Sequence, residues 1–232
     1  MASNDKSASA VASTSKTETK IKDADGALKL GKKMASVFVG ANTTEPYVVH
    51  LDLLTATSEF FKKALTGEFK EKNGAVRLAG ESPDVFEQYM GWLYNEKLPT
   101  SLTFFEQFNI YVFGVFVQDD KFCNAAIDCL IEAVSDRNMA PRGLVGIACL
   151  KLPPSSPFIK LLVDFCVYIS IFSPIWFDNE AGDNRLNAPT EFWLAVAKGL
   201  SILASSKADT NFPWSKDKTQ YHIHSEGASK SS

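Results

Sequence analysis

Two rhythms of apolar residues run along the chain. Between residues 36 and 78 they come in short β-rich runs separated by polar turns. From residue 82 onward they recur at spacings of three and four. Ser36-Val37-Phe38-Val39-Gly40 predicts a first strand. The stretch from Glu45 to His50 predicts a second, joined to it as a hairpin by a polar turn through Asn42, and Val76-Arg77-Leu78 predicts a third. Leu53 and Leu54 begin a short helix directly after His50. Ser58 is placed to cap the next helix, Glu59 and Lys63 lie at i,i+4, and Gly67 is expected in a left-handed C′ position. Val48, His50, Leu53, Leu54, Phe60 and Phe61 are the expected core of this stretch, with His50 bonding backbone at the strand-to-helix junction.

The later part predicts a series of helices. Ser82-Pro83-Asp84 combines a capping hydroxyl, proline at N1 and an acid in the first turn, followed by one face of Phe86, Tyr89, Met90, Leu93 and Tyr94. Thr103 and Glu106 form a capping box with Leu102 as staple, and Phe105, Phe108, Val112, Val115 and Phe116 mark one face of the helix behind it. After a break at Gln118-Asp119-Asp120, Phe122, Ala126, Cys129, Leu130 and Ala133 mark another helix. Leu144 to Leu150 is apolar. Ser156 and Pro157 restart a helix with Phe158, Leu161, Leu162, Phe165 and Ile169 inward, and Trp193, Val196, Ala197, Leu200 and Leu203 mark the last one. Residues 1–33 are rich in Ser, Ala, Thr and Lys with few large apolar groups to offset ordering entropy, the chain turns polar again over 207–232, and both stretches are expected to be largely disordered tails.

Composition narrows the function. The 232 residues are 45% hydrophobic and carry a net charge of −3, which suits one globular body and gives no reason to expect a nucleic-acid partner. The N-terminus has no apolar signal core. The four cysteines form no Cys-x-x-Cys pair, so an intracellular, reducing setting is expected, cytoplasmic or nuclear. The most apolar window, Leu161 to Phe177, holds Asp164 and Pro174 and falls short of the roughly 20 apolar residues of a membrane span. Aromatic residues make up 12%, enough that some are expected to face outward as a contact surface.

Catalytic patterns are missing: there is no Gly-x-Gly-x-x-Gly, phosphate loop, His-Glu-x-x-His or Gly-x-Ser-x-Gly. His50 is the only histidine outside the C-terminal stretch, and it sits in an apolar strand end. His222 and His224 are the one metal-like pair. A structural zinc takes four ligands, so they read as surface tail, and no metal, cofactor or enzymatic activity is expected.

An ordered set of segments resembles the BTB/POZ domain: Val37-Phe38-Val39-Gly40, Tyr47-Val48-Val49-His50-x-x-Leu53-Leu54, Ser58-x-Phe60-Phe61, Gly67-Glu68-Phe69-Lys70-Glu71, Val76-x-Leu78, Ser82-Pro83-x-x-Phe86 and Trp92-Leu93-Tyr94, followed by the Tyr111-to-Leu130 helix pair. Ser-Pro-Phe-Ile-Lys-Leu-Leu-Val-Asp and the closing Tyr221-His222-x-His224 are similar to the fungal type of BTB protein with a helical C-terminal extension. The resemblance implies an α+β fold, a small sheet flanked by helices over residues 34–135, then a helical region over 136–206. It also implies a protein-interaction module that forms homodimers or hetero-oligomers and can bind a cullin, bringing substrates to a ubiquitin ligase. Phe69-Lys70-Glu71 matches the hydrophobic-x-Glu element of cullin-binding members and is the expected contact. The alternative is a self-associating scaffold or a transcription-related BTB protein. Ala35 and Ser36 replace the family's Asp, and Leu51 its Lys, which argues against corepressor binding.

Overall fold

The computed structural model describes residues 29–67, 74–137, 139–170, 187–205 and 211–224. Strand β1 (Met34–Val39) is central in a three-stranded sheet of order β2-β1-β3. It pairs antiparallel with β2 (Tyr47–His50), setting Met34 opposite His50 and Val37 opposite Tyr47, so the hairpin forms as the sequence predicts. It pairs parallel with β3 (Ala75–Leu78), setting Val37 opposite Val76. A parallel neighbour needs a crossover, and helices α1 (Leu51–Thr57) and α2 (Glu59–Thr66) lie within it.

Strand parity decides which side chains are core. Ala35, Val37, Val39, Val49, Val76 and Leu78 point inward and are buried. Val48, expected inside, is 57% exposed. Successive strand residues alternate faces, and the register that buries Ala35 opposite Val49 sends Val48 outward beside Ser36. On the same outer face the Arg77 guanidinium lies 4.4 Å from the Phe38 ring centroid. His50 also departs from expectation: its ring bonds a side chain, Nδ1 lying 2.8 Å from the Tyr94 hydroxyl.

Ser58 caps α2 as predicted. Its Oγ accepts from the Phe61 N–H at 3.1 Å, and it also donates to the Val117 carbonyl at 2.6 Å, joining two distant parts of the chain. Gly67 is not left-handed: it has φ −77° and ψ −180°. Glycine is required there because a Cβ would collide with the Lys63 carbonyl, to which the Gly67 N–H is bonded.

Helix α3 (Pro83–Asn95) buries Phe86, Tyr89, Trp92 and Leu93. The Ser82 hydroxyl makes no cap bond, leaving Pro83 and Asp84 as its start signals. Trp92, absent from the expected face, lies 5.0 Å from Phe122, and Tyr89 lies 4.8 Å from the same ring. Helix α4 (Phe104–Phe116) opens with the predicted capping box and packs along α5 (Asp120–Arg137). Gly114 permits this approach, since a Cβ there would meet Cys123 Sγ at 2.7 Å. Then come a 3-10 turn at Arg142–Leu144, α6 (Val145–Lys151), α7 (Pro157–Ser170) and α8 (Thr190–Ser205). Phe158 of α7 packs on Phe108 and Tyr111 of α4, so one apolar cluster runs from the sheet into the last helices. Among the described residues no helix is long and apolar enough to cross a membrane.

The expectation of a disordered tail from residue 207 fails over 211–224. Helix α9 (Pro213–Lys216) and a 3-10 turn at Lys218–Tyr221 form a strap in which Trp214 and Tyr221 are buried. The Trp214 indole lies 4.7 Å from Phe165 and stacks on Phe212 at 4.8 Å. Two large aromatics anchor a segment whose average character is polar.

Candidate interaction surface

The sequence-predicted contact, Phe69-Lys70-Glu71, lies outside the described residues. Its flanks are described: α2 ends at Thr66, and β3 begins at Ala75.

The surface of α4 carries a second candidate. The face that the sequence spacing groups together is largely the outward one: Phe105, Val115 and Phe116 are exposed and Val112 is half-buried. The buried positions are Gln107, Phe108, Ile110, Tyr111, Phe113 and Gly114. Phe105, Val112 and Phe116 follow one another at spacings of seven and four, a single stripe about 16 Å long at 1.5 Å per residue. The Phe60 ring of α2 widens it, 5.3 Å from Phe116 and in turn 5.2 Å from Phe61. Charged groups border it: Lys62 pairs with Glu59 at 3.2 Å, and Lys63 Nζ donates to Gln118 Oε1 at 3.4 Å. An apolar centre with a polar rim is the layout of a protein contact.

A buried carboxylate holds this surface in shape. Asp119, fully buried at the α4–α5 turn, accepts from the Phe122 N–H at 3.0 Å, the Tyr89 hydroxyl at 2.9 Å and the Thr57 hydroxyl at 2.5 Å. It thus caps α5 and ties it to α3 and to the end of α1. Burial raises its pKa above the ordinary carboxylate value, against the pull of these three bonds. Burial and the neighbouring Asp119 charge push Tyr89 well up, so its hydroxyl stays a donor. The break at Gln118-Asp119-Asp120 was legible; an aspartate one residue before a helix signals a cap, but the tertiary donors Thr57 and Tyr89 have no local signature.

The candidate metal pair is used otherwise. His222 Nε2 lies 2.8 Å from Asp128 Oδ1 on α5, whose other oxygen pairs with Lys218 at 2.9 Å. His224 Nε2 lies 3.0 Å from the Thr219 carbonyl and is therefore the protonated nitrogen. Among the described residues no group of three or more histidine, cysteine or acidic side chains could hold a metal. The other strap contacts are equally specific. The Tyr221 hydroxyl donates to Asp164 at 2.6 Å, and Asn124 bonds both the N–H and the carbonyl of Ile223, at 2.7 and 3.1 Å. Burial foremost, then the Asp164 bond, pushes the Tyr221 pKa far up. Tyr221-His222-Ile223 is thus a structural clip on α5 and α7.

Residues 27–111 match the family model described as the BTB/POZ domain. No curated protein matches the chain. The three-stranded sheet flanked by helices, followed by further helices, is the α+β arrangement of that domain. The match ends within α4, short of α5 and the strap. BTB/POZ domains are protein-interaction and self-association domains rather than catalytic ones.

Proposed function

We propose that the chain is a non-catalytic adaptor: a BTB/POZ domain over residues 34–135 that self-associates and docks a cullin, with a helical extension over 136–206 that carries substrate to a ubiquitin ligase. The observation that supports this reading best is the outward stripe of α4. Phe105, Val112 and Phe116, joined by Phe60, leave large apolar groups in water beside an interaction fold, and a partner is what would remove that cost. Phe69-Lys70-Glu71, which follows α2 in the sequence and lies outside the described residues, is the proposed second contact. The test is a pull-down with a cullin N-terminal region. Phe116→Glu, Phe69→Ala and Glu71→Lys should each reduce recovery at least fivefold while leaving the far-UV spectrum intact. Equal recovery of all four proteins, or none with wild type, would sink the cullin contact.

A second reading, a self-associating scaffold with no ubiquitin role, draws on the other exposed apolar face. Met34 and Val48 point outward from β1 and β2, and β2 is a sheet edge. Light scattering at high micromolar concentration should give a dimer or larger, shifted toward monomer by Val48→Lys. A strict wild-type monomer would count against both readings' self-association.

A further inference from the structure

The strap over 211–224 is held the way a groove holds a peptide from another molecule. Side chains read its backbone. Asn124 of α5 bonds both the N–H and the carbonyl of Ile223, at 2.7 and 3.1 Å, and Lys160 of α7 donates to the Gln220 carbonyl at 3.2 Å. Two aromatic anchors, Trp214 and Tyr221, are buried, and the Tyr221 hydroxyl ends on Asp164 at 2.6 Å. A charged contact fixes the register: His222 and Lys218 take the two oxygens of Asp128, at 2.8 and 2.9 Å. Backbone bonds combined with buried aromatic anchors are how peptide grooves recognise their ligands.

The strap follows α8 in the sequence, yet these bonds all reach α5 and α7. Toward α8 it borders open space instead. A cavity of about 490 Å³ lies there, with Gly199, Ile202 and Leu203 of α8 on one side and Asn211, Pro213 and Lys216 of the strap on another. The link to α8 therefore contributes proximity, while recognition belongs to α5 and α7. A ligand held in this way need not come from the same chain. Residues 211–224 of a second copy can make the same bonds to the same groove, and the two cases differ only in the tether and the concentration.

From this we infer that the α5–α7 groove takes the strap of a second copy of this chain: two chains exchange residues 211–224, each groove filled by the other's strap. Every copy carries both halves of the contact, so the exchange is reciprocal and closes at two chains. The contact lies beyond the matched residues 27–111. It uses neither the α4 stripe, nor residues 69–71, nor the outer face of the sheet, so it stands or falls apart from the adaptor and scaffold readings.

The test mixes two full-length chains: Asp128→Lys, which spoils the groove, and His222→Asp, which spoils the strap. Alone, each sets like charges together at this contact, and limited proteolysis should cut 211–224 about tenfold faster than in wild type. When the two are mixed at high micromolar concentration, the native strap of the first finds the native groove of the second, and the altered strap brings its carboxylate to the new ammonium. Cutting of both should fall to within about twofold of the wild-type rate and rise again on dilution. The chain carrying both substitutions pairs them within itself and should resist at any dilution. A dimer made through β1 and β2 leaves each strap in its own groove, so it alters light scattering but not cutting. A mixture cut at the rates of its separate components overturns the proposal. A second readout stands if the charge swap does not pair in the doubly substituted chain. A fluorescent peptide of residues 211–224 should bind the His222→Asp chain saturably, and adding Asn124→Ala to that chain should weaken it about fivefold. No saturable binding, or binding indifferent to Asn124, overturns the proposal as well.

Discussion

Replacing Asp119 tests the central claim about how the candidate interaction surface is held. Three donors converge on this one buried carboxylate, from α1, α3 and the first turn of α5. Asp119→Ala leaves all three without an acceptor. Loss of a helix cap costs about 1 kcal/mol, and each buried donor left unpaired costs about 1–3 kcal/mol. Relief of burying a carboxylate offsets part of that, so a net loss of about 3 kcal/mol is expected. Against a typical stability of about 5–15 kcal/mol this is large but survivable. Asp119→Asn keeps an oxygen for the Phe122 N–H, and the two hydroxyls can turn to accept from its NH₂. Its cost should be about 1 kcal/mol. Urea unfolding followed by circular dichroism reads both as shifts in midpoint at constant slope. An Ala variant within 1 kcal/mol of wild type, or an Asn variant no better than Ala, would refute the reasoning.

The same pair of proteins gives a pH prediction. Burial holds the Asp119 pKa above its ordinary value of 3.8. A carboxyl whose folded pKa is raised binds its proton more tightly folded than unfolded. Its contribution is therefore complete below the unfolded value and declines as pH rises through the folded one. Asparagine does not titrate. The stability advantage of wild type over Asp119→Asn should thus be greatest near pH 4 and shrink toward pH 7, with the other raised carboxyls, Asp164 and Glu81, common to both proteins. An advantage that grows with pH would mean that the three hydrogen bonds outweigh desolvation.

The strap and the α4 stripe give three more expectations. Trp214→Ala removes a buried aromatic packed on Phe165 and Phe212 and should cost about 3–5 kcal/mol. Limited proteolysis should then cut within 211–224 well before the rest of the chain. Tyr221→Phe breaks only the 2.6 Å bond to Asp164, so a loss of about 1.5–3 kcal/mol in urea unfolding, with the strap still protease-resistant, separates that bond from the aromatic packing. Phe116→Lys lies on the exposed stripe, 42% accessible, and should change the melting midpoint by no more than about 0.5 kcal/mol equivalent while partner capture falls.

What the sequence reveals and conceals here has a physical pattern. The three strands, the capping box at Thr103 and the restart at Ser156 are legible because each uses residues within about four positions of one another. The inward face of β2 is not, since Val48 and Val49 are both β-branched and only pairing with β1 tells them apart. Helix α4 defeats periodicity for a related reason. It is apolar on nearly every side, so Phe105, Val112 and Phe116 fit an inward stripe as well as Phe108, Tyr111 and Phe113 do. That ambiguity is itself informative, because a surface helix that is apolar all round has a second neighbour or lacks one. The strap is invisible to composition. Trp214 and Tyr221 are seven residues apart in polar sequence, and their partners Asp164 and Phe165 come from a helix some fifty residues earlier.

These findings converge on α5. Its N-terminus is capped by Asp119, which fixes the turn behind Phe116. Its inner face, with Phe122, Ile127 and Leu130, fills the shared core. Its outer face supplies Asn124 and Asp128 to the strap. One helix therefore touches both the proposed partner surface and the C-terminal clip, and its two ends can be perturbed separately. Asn124→Ala removes two bonds to Ile223 and should loosen residues 211–224 without altering partner capture at α4, because neither bond reaches that helix. Proteolysis of the strap and a pull-down on the same variant check this together. Loss of capture alongside loss of the strap would mean that α5 transmits the change, and that the two regions act as a single mechanical unit.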